Sequence, residues 1–154
     1  MRIDEAAALI RPAVGGPGET WADLGAGTGT FTRALAALLG PEGRVYAVDR
    51  DPGAVEALWS LAAHVDGRRA DVMPMLADFT QPLALPPLDG ALLANALHFV
   101  PSAAQGDVLA GIAAFAVSPA LAAWLSTLRP HARVRDPDRP GPDGVDRPGP
   151  ARRT

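Results

Sequence analysis

Cysteine and lysine are both absent from this chain of 154 residues, and it contains no long apolar run. Without cysteine the chain can form neither a disulfide framework nor a thiolate metal site. Without lysine it cannot carry the Gly-Lys-Ser/Thr end of a phosphate-binding P-loop. A helix that crosses a bilayer needs about 20 apolar residues, so we predict no membrane partner.

An excess of charge of either sign is also missing. The 14 Lys+Arg and 17 Asp+Glu residues leave a formal net charge of −3, so we predict no nucleic-acid partner. The three histidines, His64, His98 and His131, are far apart and show no metal-ligand spacing. The chain starts MRIDEAAALIRP, with acids where a signal peptide has a basic end, which predicts a cytoplasmic protein.

What is present suffices for one domain, because 48% of the residues are hydrophobic and can form a core. We place this domain at residues 1–128. From residue 129 the chain is almost entirely Arg, Asp, Pro and Gly, without apolar periodicity. Such a segment buries too little surface to offset its ordering entropy, so we predict that residues 129–154 are a disordered tail.

Apolar residues recur with alternating strand and helix periods along the chain. The predicted strands cover residues 20–24, 44–48, 72–76 and 90–94, and the predicted helices cover 3–10, 31–39, 52–62, 108–115 and 119–128. This alternation predicts an α/β fold, a parallel sheet with helices on both faces. Proline cannot donate to a sheet ladder, so Pro74 places the third strand at an edge of the sheet.

The segment WADLGAGTGTF, residues 21–31, leads from the first strand into a helix through three alternate glycines. Such a loop turns its amides and the helix dipole towards a ligand. Dinucleotide-binding enzymes use a related G-x-G-x-x-G loop, which would need glycine where this chain has Thr30. Asp23, just before the loop, suits a cationic ligand and would repel a pyrophosphate.

Two further acids follow the next two strands. Asp49, in VYAVDRD, can accept both hydroxyls of a ribose. Asp78, in LADF, could accept an exocyclic amine, and Phe79 beside it could cover a ring. Together with Asp23, these acids predict an extended ligand that contains an amine, a ribose and a base.

These segments, together with LDGALLANALHFV, resemble the successive motifs of class I S-adenosylmethionine-dependent methyltransferases of the small-molecule type, over about residues 21–101. The resemblance implies a Rossmann-like sheet, S-adenosylmethionine as cofactor, and methyl transfer to a small-molecule acceptor. It also implies that the cofactor is bound by Asp23, Gly25, Ala26, Gly27, Asp49, Arg50, Asp78, Phe79 and Asn95.

The resemblance gives these residues separate roles. It places the segment Gly25–Gly27 against the methionine part of the cofactor and Asp23 near its amino group. Asp49 would bind the ribose hydroxyls, and Asp78 with Phe79 would lie at the adenine. Asn95 would line the mouth where the methyl group is delivered.

Other interpretations of these residues remain open. Asp23 could simply cap a strand end, and His98 is a candidate base that is more often structural at the start of a helix. The chain could be a non-catalytic cofactor-binding remnant or an interaction module. A nicotinamide-dependent oxidoreductase is disfavoured by Thr30 and Asp23.

The resemblance ends after the fourth strand. Family members continue with a Pro-Gly-Gly-type turn, a fifth strand and an antiparallel hairpin, whereas this chain has FAVSPALAAWLSTLRP. We therefore predict that the C-terminal strands of the usual seven-stranded sheet are missing or aberrant, through truncation or a shifted reading frame. The fourth strand would then be an exposed edge, through which the chain could self-associate.

Overall fold

The structure is a computed structural model that describes residues 1–64, 67–94 and 96–114. Asn95, the predicted helix at 119–128, the predicted tail at 129–154 and the question of a fifth strand lie outside the described residues. So does the predicted domain boundary at residue 128. Within the described ranges, no helix is long and apolar enough to cross a membrane.

The described residues form a parallel sheet of four strands in the order β3-β2-β1-β4. The strands are β1 Thr20–Leu24, β2 Arg44–Asp49, β3 Asp71–Leu76 and β4 Gly90–Leu92. The predicted Rossmann-like α/β arrangement is therefore confirmed. Self-association through β4 stays a prediction.

One strand is shorter than the sequence predicts. β4 ends at Leu92 rather than at residue 94. Leu92 pairs with Asp23, one residue before β1 ends at Leu24. β1 continues by one more residue before the chain turns at Gly25, which has a φ of 77°, and Leu24 has no register partner in β4.

The third strand lies at an edge of the described sheet, as Pro74 predicts. Its only neighbour among the described strands is β2, where Ala47 is the register partner of Pro74. A residue without a backbone N–H is tolerated there because one side of the strand needs no ladder bonds.

Four α-helices accompany these strands: α1 Ile3–Ile10, α2 Thr30–Leu39, α3 Pro52–Ala62 and α4 Ser102–Ala113. They alternate with β1, β2 and β3, whereas a loop without a helix joins β3 to β4. Short 3-10 turns cover Arg11–Ala13 and Leu97–Phe99. α3 begins as predicted, because the Asp51 carboxylate accepts a hydrogen bond from the amide of Gly53 at 3.1 Å. Pro52 occupies the first helical position, where it leaves no amide unpaired.

Each face of the sheet is covered by its own apolar cluster. On one face, Ile10 of α1 and Leu35 of α2 pack with Trp21 and Val45 of the strands. On the other face, Leu24 and Val48 pack with Leu88 and with Ile112 of α4. Burying one such aliphatic side chain contributes about 1.5–3 kcal/mol. Helices on both faces are therefore confirmed for the described part of the chain.

One glycine is required by this packing. Gly90 lies opposite Trp21 in the register between β1 and β4. A side chain at Gly90 would overlap the indole ring of Trp21. Trp21 is itself held by a hydrogen bond from its Nε1 to Glu19 Oε2 at 2.9 Å, so its ring cannot turn away without losing that bond.

Candidate functional site

The parallel strands bring three acids to one edge of the sheet. Asp23 is the fourth residue of β1, Asp49 is the last residue of β2, and Asp78 follows β3 by two residues. The carboxyl ends of parallel strands lie side by side, and ligands bind outside this edge in open α/β sheets. The structure therefore brings together the acids that the sequence places at successive strand ends.

The glycine loop lies beside these acids and is held by the backbone of β2. The amides of Gly25 and Ala26 both donate to the carbonyl oxygen of Val48, at 2.8 and 3.0 Å. A Cβ added at Gly25 would lie 2.5 Å from Ala96 Cβ and 3.6 Å from Phe79 Cε1. The loop therefore packs so closely against Ala96 and Phe79 that only a residue without a side chain fits at position 25.

Asp49 ties the glycine loop to the start of α3. Its Oδ2 accepts a hydrogen bond from the amide of Gly27 at 2.8 Å, and its Oδ1 accepts one from the amide of Asp51 at 2.9 Å. Each oxygen keeps a further lone pair for a ligand hydroxyl. Sequence reasoning missed this loop-holding contact, which joins residues 22 positions apart.

Asp78 is held in its own turn. Its Oδ1 accepts hydrogen bonds from the amide of Thr80 at 2.9 Å and from the Thr80 hydroxyl at 2.7 Å. These bonds lower the pKa of Asp78, and the nearby Arg50 charge lowers it further. The carboxylate is therefore charged at neutral pH and can accept a hydrogen bond from a ligand amine.

Two cavities meet at the glycine loop. The first, of about 230 Å³, is lined by Gly25, Gly27, Asp49, Arg50, Asp78, Phe79, Thr80, Ala96, Phe99 and Val100. The second, of about 260 Å³, is lined by Met1, Asp23, Gly25, Ala26, Thr28, Thr30, Phe31 and Ala94. Between them they include every described residue that the sequence assigns to cofactor binding.

A larger cavity of about 530 Å³ adjoins the first and shares Phe79, Thr80 and Val100 with it. Its other lining is mainly aliphatic and comes from the loop before β4 and from α4. It contains neither the acids nor the glycines of the loop edge. The two smaller cavities are therefore the candidate functional site.

Asp23 is buried and is held by the first turn of α2. The Thr32 hydroxyl donates to Asp23 Oδ2 at 2.6 Å, and the Thr32 amide also donates to this carboxylate. Thr32 is the third residue of α2, and the helix cap Gly29 has no side chain to accept its amide. Asp23 thus caps α2 from the neighbouring strand, and it also lines the second cavity.

Burial raises the pKa of Asp23 from 3.8 to about 6, and the charge of Asp49 adds to the increase, while the Thr32 bonds oppose it. Between pH 3.8 and about pH 6, Asp23 therefore keeps its proton in the folded chain, whereas it has already lost that proton in the unfolded chain. The free energy of unfolding falls as pH rises through this window, by about 3 kcal/mol in total, and stays at the lower level above it.

We expect the Asp23→Asn variant, without ligand, to be more stable than the wild type near neutral pH. Asparagine keeps the shape of the side chain and an acceptor oxygen for Thr32, but it removes the buried charge. The advantage of the variant should grow to at most about 3 kcal/mol as pH rises from about 4 to about 7. Urea denaturation of both proteins across this range measures it.

The difference between the two proteins isolates Asp23, because every other acid is common to both. A difference in unfolding free energy that stays constant over this pH range would show that Asp23 has an ordinary pKa.

His98 lies on the exposed turn Leu97–Phe99, with its ring centroid 4.0 Å from that of Phe99. Phe99 lines the first cavity, whereas His98 is not part of the lining of either cavity of the site. A catalytic role for His98 stays a prediction. Among the described residues, no group of histidines and acids could hold a metal ion.

A family model described as a methyltransferase domain matches residues 22–117. Ribosomal RNA small subunit methyltransferase H of Bordetella avium (strain 197N) is 38% identical over 93 residues, which are 58% of this chain and 25% of that protein. The chain thus spans about a quarter of the length of this curated relative.

Solved structures share the fold. A SAM dependent methyltransferase from Aquifex aeolicus is 20% identical, with a TM-score of 0.62 over 73% of this chain and 58% of its own. Magnesium protoporphyrin IX methyltransferase from Synechocystis PCC 6803, solved with bound SAM, is 21% identical, with a TM-score of 0.59 over 75% of this chain and 53% of its own.

The family match covers more than half of the chain, and it includes the glycine loop and all three acid-bearing strand ends. The prediction of S-adenosylmethionine as the cofactor is confirmed by the match to this family. The chain belongs to the methyltransferase domain family.

Proposed function

We propose that this domain binds S-adenosylmethionine and transfers its methyl group to an acceptor. The observation that carries the proposal is the edge of the sheet where Asp23, Asp49 and Asp78 surround the glycine loop. Carboxylates at these places suit a ligand with an ammonium group, a ribose and an amino-substituted base. They would repel a pyrophosphate, which argues against a nicotinamide dinucleotide.

The residues present fit the cofactor in separate segments. In the second cavity, Asp23 would accept the ammonium group of the methionine part, which would lie along Gly25–Gly27. In the first cavity, Asp49 would bind the ribose hydroxyls, and Asp78 and Phe79 would hold the adenine. Arg50 borders the same cavity, and Asn95 is proposed to line the mouth where the methyl group leaves.

When bound, S-adenosylmethionine supplies an electrophilic methyl group on its sulfonium sulfur. The chain would contribute by holding the ammonium group, the ribose and the adenine of the cofactor, and thereby orienting its methyl group. Orientation matters because in-line methyl displacement depends largely on positioning. Many acceptors need no strong base for this displacement. If the acceptor must lose a proton, His98 on the neighbouring turn is the proposed base.

The acceptor we propose is a small molecule. The 14 basic and 17 acidic residues give a formal net charge of −3, which does not favour binding to a phosphate backbone. A nucleic acid is the competing acceptor, because the curated relative is a ribosomal RNA methyltransferase. The two acceptors are distinguished by incubating the protein with methyl-labelled S-adenosylmethionine, RNA and a small-molecule extract. The RNA and the small molecules are then separated, and the label is measured in each.

Calorimetry tests the cofactor assignment and the alternative functions. We expect S-adenosylmethionine and S-adenosylhomocysteine to bind and NAD to show no binding. Asp49→Ala should weaken S-adenosylhomocysteine binding by about 10- to 150-fold, because the ribose loses a charged acceptor. The lost bond to the Gly27 amide should add to this effect.

The control is Glu56→Ala, which removes the same charge from an exposed position on α3 and should leave the affinity unchanged. Binding of NAD without binding of S-adenosylmethionine would contradict the proposal and favour an oxidoreductase. Cofactor binding without methyl transfer to any acceptor would favour a non-catalytic cofactor-binding protein.

A further inference from the structure

A hydroxyl and a carboxylate form a buried pair beneath the second cavity. Asp23 is 1% exposed and Thr32 is 0% exposed, and the Thr32 hydroxyl lies 2.6 Å from Asp23 Oδ2. Thr32 does not line the cavity, whereas Asp23 does. Thr32 therefore does not reach a ligand in this cavity itself, whereas its hydrogen-bond partner Asp23 does.

A buried carboxylate is costly unless charged or polar partners surround it. Thr32 supplies a hydroxyl and an amide, which only partly offset the burial. Among the described residues, no Arg, Lys or His side chain lines the second cavity, and the charge of Asp49, which acts on Asp23, has the same sign. A cationic group on a ligand would therefore offset the charge of this buried carboxylate.

The direction of the Thr32 bond restricts how the carboxylate can turn. Threonine is β-branched, so the first turn of a helix holds its hydroxyl in few orientations. The Thr32 hydroxyl engages Asp23 Oδ2, and the two oxygens of a carboxylate have about four lone-pair sites, so sites are left for another donor. A primary ammonium group can donate to such an oxygen in a charge-assisted hydrogen bond.

We infer that Thr32 is a positioning residue, which orients the Asp23 carboxylate to receive the primary ammonium group of the cofactor's amino-acid end. The inference rests on the proposed function, and it assigns a role to a residue that makes no contact with the ligand. The role is specific to one end of the ligand, so it can be separated from a general effect of Thr32 on stability.

The test compares two ligands that differ in that end. S-adenosylhomocysteine carries the amino-acid group, whereas 5′-methylthioadenosine carries the same adenine and ribose without it. We expect Thr32→Val to weaken S-adenosylhomocysteine by about tenfold or more, because a charge-assisted bond loses its alignment. The affinity for methylthioadenosine should change by less than about twofold, since that ligand does not reach Asp23.

Thr32→Ser restores the hydroxyl without the methyl group and should bring the affinity for S-adenosylhomocysteine back towards the wild-type value. In an Asp23→Asn background, Thr32→Val should cause no further loss of that affinity, because the residue that it orients no longer carries a charge. If the valine variant does not fold, Thr32→Ala provides the same comparison.

Two results would overturn the inference. Equal loss of affinity for both ligands would show that Thr32 only stabilises the fold, and unchanged affinity for both would show that Asp23 needs no positioning. A wild-type protein that binds neither ligand would instead contradict the proposed function. The two failures are therefore distinguishable.

Discussion

A single methyl group at position 25 is expected to weaken cofactor binding severely. In Gly25→Ala, the new Cβ would lie 2.5 Å from Ala96 Cβ, where the glycine loop packs against the turn after β4. Gly25 also has a φ of 77°, where a residue with a side chain is strained by about 1–3 kcal/mol. Calorimetry with S-adenosylhomocysteine should show affinity reduced by about 100-fold or more.

Gly18→Ala is the matched control for backbone strain. Gly18 has a φ of 83°, and among the described residues beyond its chain neighbours, a Cβ there would approach Glu42 Cβ alone, at an ordinary 3.9 Å. It precedes β1 and so lies at the opposite end of that strand from the site. The control should lower the melting temperature and leave the affinity unchanged. Retention of affinity within about threefold in Gly25→Ala would contradict the placement of the cofactor against this loop.

Replacing Gly90 by valine is expected to cost more stability than any other substitution considered for this chain. The side chain would overlap the indole of Trp21, which is 3% exposed and packed against α1 and α2. Either the ring or β4 must move. Since β4 spans only Gly90–Leu92, few ladder bonds hold it beside β1. Overpacking of this kind costs about 1–3 kcal/mol, and separation of β4 from β1 adds lost ladder bonds.

Urea denaturation measures this loss, with Gly106→Ala as the control. Gly106 lies in α4, and a Cβ there would have no atom of the described residues within 4 Å apart from its chain neighbours and the backbone of its own helix. Alanine should stabilise that helix by about 0.5–1 kcal/mol. A Gly90→Val protein that unfolds at the wild-type urea concentration would show that β4 does not pack against Trp21. Loss of cofactor binding should accompany the destabilisation, since β4 leads to Ala94 at the second cavity.

Much of this fold follows from local patterns in the sequence. β1 spans Thr20–Leu24 as the apolar stretch predicts, and α3 begins where Asp51 and Pro52 place it. These features depend on neighbouring residues alone, through strand and helix periods and through the chemistry of a helix cap. Pro74 indicated an edge strand for the same reason, because its missing donor is a property of one residue.

The general location of the site was also predictable. Parallel strands end at one edge of a sheet, so acids after successive strands must lie near one another once the alternation of strands and helices is recognised. The structure brings Asp49 and Asp78 to one cavity and Asp23 to the next. That outcome depends on topology, which the order of the elements along the chain determines.

Only the tertiary structure decided how these acids are held. The bond from the Gly27 amide to Asp49 and the bond from Thr32 to Asp23 each join two different elements. The fit of Gly90 against Trp21 likewise joins two strands that lie far apart in the sequence. Such contacts depend on strand register and side-chain rotamers to within a fraction of an ångström. A pattern of residue types along one chain carries the periods of its elements but not these distances, because they arise only when the elements pack together.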